Sequence, residues 1–513
     1  MENPASLFGI PHLVSWIMLI PLIGLVIVGL LPVGAGGRHV EAIRWVTLGV
    51  TLLTLGLAVG LWASFDHAVS GPQFVDRVDV EGILPFGTQY AVGVDGISLP
   101  LVLLTAFLVP LCVLGSWRSI ATNVKTFMML ILLVEGAVVG VFTALDAYLF
   151  FFFWEITVIP TYCMIAFWGG PQRTQAAIKF LLFNVMGSLL LPAGILALHH
   201  VGGTFDMLAL MQVEYAPKVQ FWIFLALFLG FGIKVPMLLV HGWLADAHGE
   251  APTAGSVILS GLLLKMGAYG LLRFCLPMLP EASAAFAPLI QGLSVLAILY
   301  GGAMALAQPD FKRLIAYSSI AHMGFVTLGI FGLNTQSVQG AVLQMVNHGI
   351  TTGALFLVAG MLYDRTHDRT INNYGGLHQV MPRFAVVLSL FTVASFGLPG
   401  TGNFIGEFLV LAGTVSHSYL MVLLVLVGIV LGAAYMLGMF QRLVLGPVSP
   451  QSATLHDLNR REIACVIPLA LAVFVIGLYP TVMLDLMDAS VTTLAKDFAQ
   501  VHPLRIVAVF TAP

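Results

Sequence analysis

Seven ionisable side chains fall near the centres of long apolar segments: Glu135, Glu155, Lys234, Lys265, His322, His348 and Glu407. A charge at that depth in a bilayer costs about 2.5–3.5 kcal/mol on insertion scales. Arginine and aspartate are absent from the set. Arginine keeps its proton in proteins, whereas a buried lysine gives its proton up readily, and histidine titrates near neutral pH without help. The seven are therefore groups able to exchange protons. The densest stretch is LGFGIKVPMLLVHGWLADAHGEAPTAGSVILSGLLLKMGAYGLLR, residues 229–273, where two apolar helices flank a polar turn and each carries one lysine. Intramembrane ions default to function, but each has a plainer reading beside it. Glu155 and Lys234 would pair, and such a pair also holds helices together. A lone histidine, such as His322 or His348, is often a satisfied polar core residue. Glu135 has nothing local to distinguish it beyond its depth.

Positioning these groups requires a membrane fold. Hydrophobic residues make up 59% of the 513 and charged residues 9%, against about 25% charged in a soluble domain. Fourteen apolar segments of helical length, about 20 residues each, begin near Leu13, Ile43, Ile97, Thr126, Tyr148, Ala176, Phe221, Gly255, Ala285, Leu314, Gly340, Arg383, Tyr419 and Ile463. The fold class is thus an all-α membrane protein of about fourteen transmembrane helices. Span seven is interrupted at Gly232 and Pro236, and span twelve at Gly397–Gly402. Interrupted helices at corresponding places in two halves point to inverted repeats around a midplane ion site. The expected organisation is helices one to three with an external loop (residues 1–125), a first five-helix repeat (126–280), a second, inverted repeat (281–440), and helix fourteen with its tail (441–513).

Other features carry less. The N-terminus lacks a basic region and a small-residue cleavage site, so the first helix is expected to be retained. Cys112, Cys163, Cys275 and Cys465 are far apart, without metal or disulfide spacing. His241, Asp246, His248 and Glu250 match no zinc signature and read as a polar cytoplasmic loop, so no metal site is expected. The glycines suggest close helix packing. Phe150–Phe153 reads as lipid-facing or packing surface.

Basic residues set orientation. With an even number of spans, fourteen of the 21 Lys+Arg fall on the side opposite the termini and five on the terminal side, Lys234 and Lys265 being within the membrane. Both termini are therefore expected outside. The loop from Phe65 to Asp95, with Asp66, Asp76, Asp79, Glu81 and Asp95 against Arg77 alone, suits that side.

Four stretches carry a resemblance over nearly the whole chain: FFFFWEITVIPTYCMIAFWGG, KVPMLLVHGWLADAHGEAPTAGSVILSGLLLKMGAYGLLRF, DFKRLIAYSSIAHMGF and GLPGTGNFIGEFLVLAG. They resemble the antiporter-like subunits of complex I, as does TQYAVGVDGISLP. That family implies fourteen helices, two inverted five-helix repeats, and broken helices seven and twelve. Its L and N members, and the related sodium/proton antiporter subunits, typically place lysine in broken helix twelve. Glu407 in GNFIGEF points instead to the glutamate-bearing member, and the chain lacks the long lateral helix of an L subunit. By the resemblance, Glu155 and Lys234 are the input pair and Lys265 the central relay. His322 and His348 connect that relay to Glu407, the terminal proton site, and Glu135 couples to a neighbouring subunit.

The resemblance further implies a proton-translocating membrane-arm subunit of NADH:quinone oxidoreductase in a bacterial plasma membrane. The implied partners are neighbouring antiporter-like and other membrane-arm subunits, lipid and protons, and no nucleic acid. Flavin, iron–sulfur clusters and quinone are expected on partner subunits, with no cofactor on this chain. A subunit of a multisubunit sodium/proton antiporter, or of a membrane-bound hydrogenase, is the alternative. A topology reporter fused after Pro513 is expected to read outside; a cytoplasmic signal would refute the even count or the orientation.

Overall fold

The computed structural model describes residues 11–32, 37–78, 87–499 and Val509. Asp79, Glu81 and Arg505, counted above, lie outside the described residues. Among those residues, twelve helices are long and apolar enough to cross a membrane. The helix Phe311–Ile330 supplies span ten. The shorter apolar helices Pro382–Ser395 and Gly402–Val415 together form the broken span twelve. The fourteen expected spans are thus all present. Between spans two and three, the strands β1 (Gln73–Val78) and β2 (Tyr90–Val94) pair antiparallel. Beyond span fourteen (Arg460–Leu478), a further helix, Thr481–Ala499, packs back against the bundle. From the sequence that segment reads as a tail.

Spans eight (Thr253–Met278) and eleven (Thr335–Thr366) are the two whose apolar windows are fully enclosed, while span thirteen (Tyr419–Val444) is only 22% buried. The two central spans meet at glycines. A Cβ on Gly349 would come within 3.0 Å of the Gly261 carbonyl and closer still to Leu104. Small residues let membrane helices approach to backbone contact, and here they bring the Lys265 and His348 segments side by side.

Each break has a chemical cause. In span seven, Pro236 has no N–H for the Gly232 carbonyl. Met237 N donates there instead, at 2.8 Å, and the Trp243 indole N–H donates to the Ile233 carbonyl at 3.0 Å. In span twelve, Pro399 withholds a donor from the Ser395 carbonyl, and Asn403 Nδ2 approaches it at 3.4 Å. Gly397 and Gly400 take φ of +77° and +94° in that turn, conformations a Cβ disfavours. Backbone freed inside a bilayer must be satisfied by protein or water, and both breaks meet that demand largely from within.

Three irregularities were not anticipated. Span five splits at Thr157 into Ala147–Ile156 and Val158–Trp168, because Pro160 offers no N–H to Ile156. Span eight contains two π segments, Leu259–Leu263 and Leu271–Cys275. The polar loop expected at His241–Glu250 is in its second half a helix, Leu244–Glu250, in which His248 and Glu250 are buried. It packs against spans six and ten, so it is the second limb of span seven and not a solvated loop.

The ion pairs sort the two ends of the bundle as the charge count does. At one end Asp246 bridges Lys179 and Arg313 (2.6 and 2.9 Å), and Arg369 joins Glu250 and Asp310. There too Glu462 is held by Arg365 through both oxygens, at 2.9 and 2.7 Å. At the hairpin end lie Arg77–Asp206 and Arg273–Asp95. Removing one partner of a buried pair strands the other. Arg365→Ala is therefore expected to destabilise the detergent-purified protein by about 3 kcal/mol. An unchanged thermal midpoint would show that the pair contributes nothing.

Candidate functional site

Lys234 is the last residue of the helix Pro217–Lys234 and is 1% exposed. Its Nζ donates to Thr157 Oγ1 at 2.9 Å and lies 4.2 Å from the centre of the Trp154 ring. The Thr157 hydroxyl in turn donates to the Trp154 carbonyl at 2.8 Å. Glu155 is within electrostatic reach of Lys234 but makes no ion pair with it, and its buried Oε1 has no hydrogen-bond partner. The expected direct Glu155–Lys234 pair is thus replaced by a lysine seated on a hydroxyl and an aromatic face. The break at Thr157 creates that seat by turning the hydroxyl toward span seven.

Lys265 is fully buried, just past the first π segment of span eight. Its Nζ donates to the Ser260 carbonyl and lies 2.6 Å from His348 Nδ1. While Lys265 is an ammonium, which has only donors, Nδ1 accepts and the His348 proton sits on Nε2, which has no hydrogen-bond partner. The His348 and His322 rings are 5.4 Å apart, centre to centre. His322 Nδ1 then reaches Glu407 Oε1 at 3.0 Å, and Gln344 Nε2 donates to the same oxygen at 3.1 Å. Glu407 lies on the second limb of span twelve, with Gly397 of the break beside its other oxygen.

The structure therefore places Lys265, His348, His322 and Glu407 in one continuous series, with Lys234 and Glu155 as a separate cluster. Glu135 stands apart. It is fully buried on span four, and neither of its oxygens has a hydrogen-bond partner among the described residues.

Four residues of the site are not evident from the sequence. Thr157 and Trp154 flank Glu155, where Pro160 was the available signal. Gln344, one turn before His348, carries the pattern of a helix face. His248 belongs to a stretch that reads as loop. It is in fact fully buried, stacked on Phe356 at 5.1 Å, with both ring nitrogens free of partners and electrostatic contact to Lys265 and Lys312. No cluster of three or more metal-ligating side chains occurs among the described residues.

Residues 144–432 match the profile described as NADH:quinone oxidoreductase/Mrp antiporter, TM. Residues 82–139 match NADH-ubiquinone oxidoreductase chain 4, amino terminus. NADH-quinone oxidoreductase subunit M of Rhodobacter capsulatus is 42% identical over 502 residues, 95% of this chain and 97% of the relative. A chain of respiratory complex I from Thermus thermophilus with bound NADH superposes with a TM-score of 0.86 at 31% identity, covering 94% of this chain and 99% of that one. A chain of the Mrp complex from a Dietzia species gives 0.82 at 19% identity, over 97% and 99%, and shares the fold alone. The fold and buried series define an antiporter-like membrane subunit. Within that class, the chain belongs to the NADH-quinone oxidoreductase subunit M family, as Glu407 in GNFIGEF had indicated.

Thr157→Val keeps the side-chain shape and removes the hydroxyl under Lys234. One hydrogen bond to a charged group is worth about 1.5 kcal/mol or more, so turnover of the assembled enzyme is expected to fall roughly tenfold. Unchanged turnover would show that this contact is idle.

Proposed function

We propose that this chain moves protons across the membrane as part of the membrane arm of an NADH:quinone oxidoreductase, driven by electron transfer on partner subunits. The observation that carries the reading is the contact series from Lys265 through His348 and His322 to Glu407, each member of it buried. Every member of it can take up and release a proton.

Lys234 begins the path. A carboxylate within electrostatic reach stabilises an ammonium in a low-dielectric setting. While Glu155 is charged and near, Lys234 keeps its proton. A charge change in a neighbouring subunit that neutralises or draws away Glu155 sends that proton toward Lys265. The two lysines are not in contact, so this step runs through water. From Lys265 the proton passes to Nδ1 of His348, whose Nε2 proton moves on toward His322 and then to Glu407. Release from Glu407 is to the outside, where the charge count also places the termini. Glu135 serves coupling to an adjacent subunit, a role suited to its isolation from the series. Flavin, iron–sulfur and quinone chemistry belongs to partner subunits, and the contacts of this chain are with antiporter-like neighbours and lipid in a bacterial plasma membrane. The matching logic of the two breaks supports two inverted repeats.

Glu155→Gln removes the charge at constant shape. NADH-driven proton uptake into vesicles is expected to be abolished or sharply reduced. Full pumping by this variant would defeat the reading.

A further inference from the structure

Span eight continues from Lys265 to Tyr269 and Arg273 at four-residue steps, which stack side chains along one side of a helix. This column points to the hairpin end of the bundle. Tyr269 is 2% exposed, and its hydroxyl donates to the Phe142 carbonyl and accepts from Arg273 Nε, both at 3.0 Å. The Arg273 guanidinium is paired with Asp95, 3% exposed at the foot of span three, whose Oδ1 also accepts the amides of Ile97 and Ser98 at 3.0 Å. Burial opposes charge on Asp95, but Arg273 and these amides outweigh it and hold its carboxyl below the usual range. Above the pair, a cavity of about 310 Å³ at the hairpin end is lined by Asp95, Leu272, Arg273, Pro277 and Ser490, among others.

That cavity and Lys265 stand on the same side of span eight. Eight helical residues, roughly 12 Å of rise, separate the level of Arg273 from that of Lys265. The column offers a proton on Lys265 a second course besides the one to Glu407, yet the groups that fill it are unsuited to relay. Arginine does not give up its proton. The tyrosine's single proton rests on a backbone carbonyl. Lys265 itself turns its Nζ away, to Ser260 and His348. Toward the Arg369–Glu250 end stands His248, with both ring nitrogens free of partners. A fixed positive charge in a narrow path is an electrostatic barrier to protons.

We propose that Arg273, held by Asp95 and Tyr269, is a proton barrier that closes the direct route from Lys265 to the hairpin face and so obliges lateral transfer toward Glu407. The proposal rests on the proton-moving reading above. The barrier is a positioning device and not a catalytic group, so it is tested by passive permeability, which needs no pumping. The intact complex is reconstituted into vesicles, a potassium–valinomycin potential is imposed without NADH, and proton entry is followed with a pH-sensitive dye. The double variant Asp95→Asn/Arg273→Gln removes both charges together and strands neither. Its vesicles are expected to lose the imposed gradient, and NADH-driven acidification with it, while quinone reduction continues. Vesicles as tight as wild type would overturn the proposal. Arg273→Lys puts in its place a cation that can release its proton and is expected to leak as well, and tight vesicles there would also overturn the proposal. If the double variant does not assemble, this second variant carries the test. If wild-type vesicles fail to acidify with NADH, the pumping reading falls, while the comparison of leaks still decides on the barrier.

Discussion

The contact between Lys265 and His348 sets the terms for the rest of the fold. It joins spans eight and eleven, the two most enclosed helices, at a depth where an ammonium without partners is costly. To make it, the helices must touch at Gly261 and Gly349, and span eight loosens into a π segment just before the lysine. Extra-residue turns of this kind are frequent at functional sites. Here Nζ is shared between the Ser260 carbonyl and the imidazole. The less enclosed spans, such as thirteen, form the outer layer around this core.

A second constraint is backbone satisfaction. Prolines at 160, 236 and 399 each remove a donor inside an apolar span, and each lies near one of the proposed proton groups. Thr157, Trp243 and Asn403 supply hydrogen bonds at those places. The polar atoms admitted for this purpose give the site its second set of partners. Thr157 carries Lys234 in this way, and the span-twelve turn places Gly397 against Glu407.

Much of this was legible in the sequence because the bilayer makes a buried charge conspicuous. All seven ionisable groups stood out against apolar runs, and the span count and the breaks at Pro236 and Gly397–Gly402 followed from length and proline. What the sequence hid were features without a compositional mark. The π segments have no signature residue. Gln344 differs from its neighbours only once it is known which face of span eleven turns toward Glu407. His248 was misread because the HGWLADAHGE stretch is as polar as a loop. Its burial depends on spans six and ten closing over it, with Asp246 tied to Lys179 and Arg313 at its foot. The Glu155–Lys234 contact was overdrawn, since opposite charges nearby need not touch when a hydroxyl and an indole face already hold the ammonium.

The central claim is that Lys265 acts by exchanging its proton and not merely by carrying charge. Replacing it with arginine separates the two, since the guanidinium keeps the charge and does not release the proton. The decisive measurement is the number of protons moved per NADH oxidised by vesicles bearing the assembled Lys265→Arg complex. A collapse of that ratio is the predicted result. A ratio equal to wild type would contradict the account, because a fixed charge would then suffice.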